Sequence, residues 1–266
     1  MLPYPRINPE IVRIGPLAVH WYGLMYLLGF LAAYFLARRQ LKERGLPELV
    51  SRLEDLLFWS GVGLIVGARL GHVLFYYPGY YLKRPLEIFA LWHGGMSFHG
   101  GLLGAVLSGW LYARKHGLNF WWWADLLVVT APVGLGLGRI GNFINGELYG
   151  RPTHVPWAMI FPAGGPVPRH PSQLYEALGE GLLLFVILWS LRNRPWTPGL
   201  KLALFLVLYG TIRFFLEFFR QPDVGVSLFW GWMTRGQFFC LLMVLAGLGL
   251  FGLRRGKPQE GSYLSG

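Results

Sequence analysis

The sequence is short of charge. Only 14% of its 266 residues are Asp, Glu, Lys or Arg, where an ordinary soluble domain has about 25%. At the same time 54% are hydrophobic and 17% aromatic. A water-soluble fold of this size could not cover so much apolar surface, so soluble enzymes and soluble binding modules are excluded. Cysteine is nearly absent too. A lone Cys240 rules out an intramolecular disulfide and any cysteine-based metal cluster. Its apolar surroundings read as those of a small buried hydrophobe, not of a nucleophile. No second histidine or carboxylate stands at ligand spacing around the most isolated histidine, and neither a metal nor another cofactor is expected. An internal repeat, the mark of inverted-repeat transporters, is missing. Residues 1–16 lack the basic start and small-residue cleavage site of a secretory signal, so the first apolar block is expected to stay in the mature protein.

What is present is apolar sequence in blocks of bilayer length. Seven spans are expected, at 17–37, 56–77, 86–112, 123–144, 172–191, 200–219 and 236–253. This is the pattern of an all-α polytopic membrane protein forming one transmembrane domain over 1–266. Between spans four and five, 145–171 carries Pro152, Pro156, Pro162, Pro166, Pro168, Gly164 and Gly165 and cannot be one helix. A short irregular or β-like arm at the outer interface is expected there, with Trp157 and Phe161 as interfacial anchors. The net charge of +11 lies at block ends and forms no single patch, which favours a membrane surface over nucleic acid as the anionic partner. Thirteen of the 24 basic residues fall on the side of the carboxyl terminus and eight on the other. The positive-inside rule then puts the carboxyl terminus in the cytoplasm and the amino terminus outside. Three arginines remain within spans: Arg69, Arg139 and Arg213.

A guanidinium at mid-bilayer depth costs about 2.5–3.5 kcal/mol on insertion scales and usually faces a partner or a wet cavity. Arg139 lies in Gly138-Arg139-Ile-Gly-Asn142-Phe-Ile-Asn145-Gly146-Glu147, which gathers guanidinium, amides and carboxylate near one helix end. Arg213 belongs to a face made by Tyr209, Arg213, Glu217 and Arg220, spaced four, four and three apart. A structural i,i+4 ion pair of Arg213 with Glu217 is the plainer reading; two converging arginines would instead suit a phosphate. His99 stands between glycines in Gly94-Gly-Met-Ser-Phe-His99-Gly-Gly, after His93. It is either a hydrogen-bonded structural residue or a proton acceptor of near-neutral class. His20-Trp21-Tyr22-Gly23 and Arg169-His170-Pro171-Ser172 open spans one and five, where they can serve as interface anchors and helix starts, with Ser172 as an N-cap.

Together these stretches resemble the prolipoprotein diacylglyceryl transferase family of bacterial inner membranes. The strongest likeness is Gly138 through Asn142, Asn145 and Glu147 to Gly150-Arg151. His20 to Tyr26, Gly94 to Gly101, Arg169 to Glu176 and Arg213 to Asp223 follow the family in kind and order. The resemblance implies transfer of the diacylglyceryl group from phosphatidylglycerol to the lipobox cysteine thiol of a preprolipoprotein, giving a thioether and glycerol 1-phosphate. It places Tyr22, His99, Arg139, Asn142, Glu147, Gly150, Arg213 and Glu217 on positions important for activity. On that basis His99, Arg139 and Arg213 are expected to be catalytic. Tyr22, Asn142, Glu147, Gly150, His170, Tyr209, Glu217 and Arg220 are expected to bind substrate, with Glu147 and Glu217 orienting the arginines. The arm between Arg151 and Arg169 looks shorter than in many relatives. The expected partners are phosphatidylglycerol, membrane lipid and the precursor signal peptide, with the enzyme a monomer. A lipid or anion transporter, or a scaffold for lipoprotein precursors, would also place arginines in spans, but neither would make a thioether.

Overall fold

The computed structural model describes residues 2–5, 7–15, 17–90, 94–222, 231–256, 263 and 264; His93 and Asp223 of the motifs above lie outside them. In chain order the first elements are strands β1 (Glu10–Ile14) and β2 (Leu17–His20) and helices α1 (Trp21–Glu43), α2 (Val50–Phe75), α3 (Pro78–Lys83) and α4 (Phe98–Lys115). There follow α5 (Phe120–Val128), α6 (Ala131–Asn145), α7 (Ser172–Glu176), a π-helical stretch Ala177–Leu183, α8 (Leu184–Ser190), α9 (Leu200–Leu216) and α10 (Arg235–Arg254). The chain divides into two compact units, Met1–Gln40 with Ala124–Gly261 and Leu41–Trp123 with Ser262–Gly266.

Four helical stretches among the described residues are long and apolar enough to cross a bilayer: Trp21–Glu43, Pro47–Phe75, Ser172–Ser190 and Arg235–Arg254. The pair α5 and α6, bent by 43°, makes a fifth if it is one broken span. Two expected spans fall short. With 17 residues α9 is about 25 Å long, under the roughly 30 Å of a hydrocarbon core. The span expected at 86–112 becomes helical as α4 only at Phe98, after a 3₁₀ turn at Pro85–Phe89.

In the first unit, β1 and β2 form an antiparallel hairpin with Glu10 opposite His20 and Ile14 opposite Leu17. Residues 17–20, expected to open the first span, are therefore strand. Helix begins at Trp21, whose N–H donates to Pro9 O at 3.0 Å. The span expected at 123–144 breaks after Val128. Pro132 lies in the first turn of α6, and it has no N–H to continue the α5 ladder. Thr130 fills the gap by donating its hydroxyl to Leu127 O at 2.7 Å. At the other end of α6, Gly146 at φ 68° closes the helix in the left-handed region.

Buried Val129, Leu184 and Leu188 pack with Leu204, Phe205, Leu208, Tyr209 and Ile212 as one core. Buried Asp125 of α5 accepts from Gly199 N at 2.9 Å and Leu202 N at 2.8 Å, so another helix supplies the cap and the negative charge that the start of α9 favours. Cys240 is buried against Gly210 of α9, as its apolar setting suggested. The 145–171 segment contains isolated β-bridges, Pro152 with Arg169 and Met159 with Arg169, and one 3₁₀ turn at Pro162–Gly164. Phe161, expected at the membrane interface, is fully buried among Tyr4, Phe143 and Tyr149. Trp157 is half exposed. Ser172 does not cap its helix: Pro171 occupies the cap position, and the Ser172 hydroxyl donates to Leu148 O at 3.1 Å.

In the second unit α2 and α4 meet through small residues. A Cβ on Gly67 would stand 2.8 Å from Gly104 Cα, and one on Gly71 2.9 Å from Gly100 Cα. Backbones this close gain dispersion and exclude side chains from the seam. Arg69, one of the three arginines within spans, is buried beside that seam. Its Nε donates to Ile88 O at 2.9 Å, Nη1 to Gly94 O and to Gly95 O at 3.1 Å, and Nη2 to Glu87 O at 2.5 Å and Ala90 O at 3.1 Å. The Tyr81 ring covers the guanidinium at 5.3 Å. Backbone carbonyls thus satisfy a cation that a bilayer would otherwise reject.

Candidate active site

Arg139 from α6 and Arg213 from α9 converge on one carboxylate pair in the first unit. Arg139 Nε lies 2.9 Å from Glu176 Oε2, and its Nη2 lies 3.5 Å from Glu180 Oε2. Arg213 Nη1 donates to Glu176 Oε1 at 2.5 Å and to Glu180 Oε1 at 3.4 Å, while Nη2 donates to Glu217 Oε2 at 2.6 Å. Glu176 and Glu180 have fully buried side chains. They stand at the end of α7 and inside the π-helical stretch. A π turn is wider than an α turn and is frequently found at functional sites. Gly181 of the same stretch lets the helix meet α6 at Gly136, where a Cβ on Gly181 would lie 2.6 Å from Gly136 Cα.

The two arginines are not equivalent. Arg213 directs both Nη groups to three carboxylates and its side chain is 10% exposed. Arg139 is 18% exposed. Its 2.9 Å approach to Glu176 is a charge contact whose N–H is not aimed at the oxygen, since Glu176 Oε2 has no hydrogen-bond donor. The contacts of Arg139 to the carboxylate pair run through Nε and Nη2, and among the described residues Nη1 donates to none. Tyr209 is close enough to Arg139, Arg213 and Glu180 to interact electrostatically.

Asn142 does not turn toward either arginine. Its Nδ2 donates to Glu147 Oε1 at 2.9 Å, and Asn145 Nδ2 donates to the same oxygen at 3.1 Å. Glu147 therefore holds amides, not guanidinium. Buried Gln173 fixes the same turn by donating to Glu147 O at 2.6 Å. The Tyr22 hydroxyl faces the Asn142 amide and lies 3.0 Å from the Tyr26 hydroxyl. Tyr22 and Asn145 line a cavity of about 560 Å³ together with Ala18, Val19, His20 and Leu27. Gly150 has a backbone role: it bridges to Arg220, donates its N–H to His170 O at 2.9 Å, and has Phe219 O where a Cβ would go. Arg220 departs from the expected helix face. The chain tightens after Leu216, with Phe219 N donating to Leu216 O and Arg220 N to Glu217 O, so Arg220 meets the arm and accepts from Arg151 Nε at 3.0 Å through its carbonyl. His170 Nδ1 is 3.1 Å from the Tyr175 hydroxyl, which accepts from Trp157 Nε1 at 2.6 Å. Partial burial holds the His170 imidazole below its ordinary range. His99 belongs to the second unit, exposed in the first turn of α4, where Ser97 caps the helix by accepting from Gly100 N at 3.3 Å.

A family profile described as prolipoprotein diacylglyceryl transferase matches residues 9–253. Proteins named phosphatidylglycerol–prolipoprotein diacylglyceryl transferase from Pseudomonas paraeruginosa and Bordetella parapertussis are 51% and 53% identical over 262 residues. Those matches cover 97% and 98% of this chain and 98% and 100% of the relatives. One of the same name from Desulfotalea psychrophila is 52% identical over 266 residues, 98% of each chain. This chain belongs to the prolipoprotein diacylglyceryl transferase family.

As a prolipoprotein diacylglyceryl transferase family member it is a multi-pass membrane protein, and its arginine pair is built differently from the sequence expectation. Glu217 does pair with Arg213, but the carboxylates shared by both arginines are Glu176 and Glu180. In the sequence Glu176 closes the motif that opens span five, and Glu180 lies beyond any motif. The signal was available: two acids four residues apart in an otherwise apolar span are as costly to bury as an arginine.

Proposed function

We propose that this protein transfers the diacylglyceryl group of phosphatidylglycerol to the lipobox cysteine thiol of a preprolipoprotein, the first step of bacterial lipoprotein maturation. In that reaction the thiol sulfur forms a bond to the glyceryl carbon and the carbon–oxygen bond to phosphate breaks. Glycerol 1-phosphate leaves, and the thiol proton passes to a base. The names of relatives about half identical over nearly the whole chain support the substrate pair.

The observation that carries the chemistry is the under-used guanidinium of Arg139. Two guanidinium groups face three carboxylates in this cluster, so phosphate binding cannot rest on surplus positive charge. It rests on the Nη1 edge of Arg139, with the Tyr22 hydroxyl turning from Tyr26 to the headgroup and the Asn142 amide, held by Glu147, turning its second N–H from Tyr22 to it as neutral donors. Such donors stabilise the charge that develops on the leaving phosphate, where low dielectric makes each worth more than in water. Arg213, with Glu176, Glu180 and Glu217, holds Arg139 in place. Glu147 orients Asn142, and Gly150, His170 and Arg220 shape the arm behind the site. His99 is the base for the thiol, whose ordinary pKa near 8.5 leaves it mostly protonated at neutral pH. Seven spans in the bacterial inner membrane, with an outer arm at 145–171, extend the apolar blocks beyond the four or five membrane-length stretches among the described residues, and the distribution of basic residues puts the amino terminus outside and the carboxyl terminus in the cytoplasm.

The test is incubation of detergent-solubilised protein with phosphatidylglycerol and a lipobox peptide, read by mass spectrometry. A diacylglyceryl adduct on the peptide cysteine that is lost in Arg139→Ala is expected. Folded protein that forms no adduct refutes the transferase reading.

A further inference from the structure

We propose that Arg69 is a positioning residue for His99, setting the turn from which helix α4 starts. The inference rests on the reading of His99 as the thiol base. All three guanidinium nitrogens of Arg69 donate to carbonyl oxygens, and the five acceptors come from Glu87, Ile88, Ala90, Gly94 and Gly95. Gly94 and Gly95 lie just before α4, and Glu87, Ile88 and Ala90 belong to the turn upstream of them, so one side chain ties both stretches of backbone ahead of His99 to α2. The tie is continued by the main chain of the preceding residue, because Ala68 O accepts from Ser97 N at 2.9 Å. Ser97 in turn caps α4, and His99 stands two residues further on. The Ala68 carbonyl and the Arg69 fork, from consecutive residues of α2, thus fix where the first turn of α4 begins and how it is rotated.

The local sequence fits this fork and little else. Gly94 and Gly95 have φ of 77° and 79°, a region that favours glycine. A Cβ on Gly95 would come within 3.1 Å of Arg69 Nη1 and 2.5 Å of His72 Nε2. The side-chain-free backbone lets two successive carbonyls turn onto one nitrogen. A lysine carries its donors on a single nitrogen and cannot span acceptors grouped around three. An error of about 1 Å in a proton acceptor can cost on the order of 100-fold in rate. Ground-state binding of the lipid headgroup is not touched by such an error.

The experiment compares Arg69→Lys, Arg69→Gln, His99→Ala and Arg69→Lys/His99→Ala in the thioether assay, with rates normalised to folded protein. Arg69→Lys is expected to lower kcat on the order of 100-fold with KM for phosphatidylglycerol within about twofold, and the double variant to be no slower than His99→Ala. In parallel, carbethoxylation of His99 by diethyl pyrocarbonate, followed by peptide mass, is expected to change rate in folded Arg69→Lys protein. An unchanged kcat and carbethoxylation rate, with only a lowered unfolding midpoint, would overturn the proposal and leave Arg69 a stability residue. Full activity in His99→Ala would instead remove the base assignment and the proposal's premise, while the carbethoxylation rate still reports whether Arg69 fixes the turn.

Discussion

Replacing each arginine of the shared cluster by methionine separates the strut from the ligand contact. Arg213→Met removes three contacts, to Glu176, Glu180 and Glu217, and strands carboxylates that are almost wholly inaccessible. Breaking a buried pair from one side costs about 3–5 kcal/mol because the remaining charge is uncompensated. At about 2–4 °C per kcal/mol for a chain of this size, the apparent unfolding midpoint should fall by about 6–20 °C. Arg139→Met removes one misaligned contact at 2.9 Å and one at 3.5 Å from a more exposed side chain. Its midpoint should fall by no more than about half as much, since Arg213 still pairs Glu176 and Glu180. Both variants should fail in the thioether assay, Arg139→Met while still folded at the assay temperature. Thermal unfolding in one detergent, alongside mass-spectrometric product yield, reads both quantities. Equal destabilisation by the two substitutions would refute the division of labour, and so would an active Arg139→Met.

Gly67→Val should lower the unfolding midpoint sharply, because its Cβ would meet the α4 backbone at Gly104, whereas Gly61→Val, with open space around its Cβ, should be nearly neutral. Thr234→Val removes a capping box on α10 and a hydroxyl that donates to Glu217 Oε1 at 3.1 Å; a loss of about 1 kcal/mol is expected, with Thr234→Ser restoring it in the same melt. For His170 the folded imidazole is held below its ordinary value, so the neutral form is favoured in the folded state. Its contribution to stability is complete above about pH 6.5 and is lost as pH falls below that through the folded value. Melting curves for His170→Gln should therefore converge with wild type on the acid side of pH 6.5, and a gap that widens with acid would contradict the assignment.

The arginines were legible because an ionised side chain inside an apolar block needs an explanation wherever it points. Glu176 and Glu180 satisfy the same logic, but Glu176 follows the polar run Ser172-Gln173 and passes for a helix start. The π-helical geometry that presents them leaves no compositional trace apart from Gly179 and Gly181. The break between α5 and α6 could have been read from Pro132, and an apolar run on both sides masked it. Phe161 shows the opposite limit: an aromatic in a proline-rich loop suits an interface anchor, and only its packing with Tyr4, far away in sequence, makes it core. Arg220 follows helical spacing from Tyr209, and the tightened turn after Leu216 takes it off that face.

The cluster also orders the birth of the protein. Chains are made and inserted from the amino terminus, and its charges emerge as Arg139, Glu176, Glu180, Arg213 and Glu217. The running charge of the cluster therefore goes from one positive, through zero, to one negative, back to zero and again to one negative. It never exceeds one in magnitude. A nascent chain consequently carries at most one unmatched charge of the cluster into lipid at each stage, roughly a 2.5–3.5 kcal/mol burden on insertion scales. The last of them, on Glu217, is met when Thr234 arrives with its hydroxyl at the start of α10.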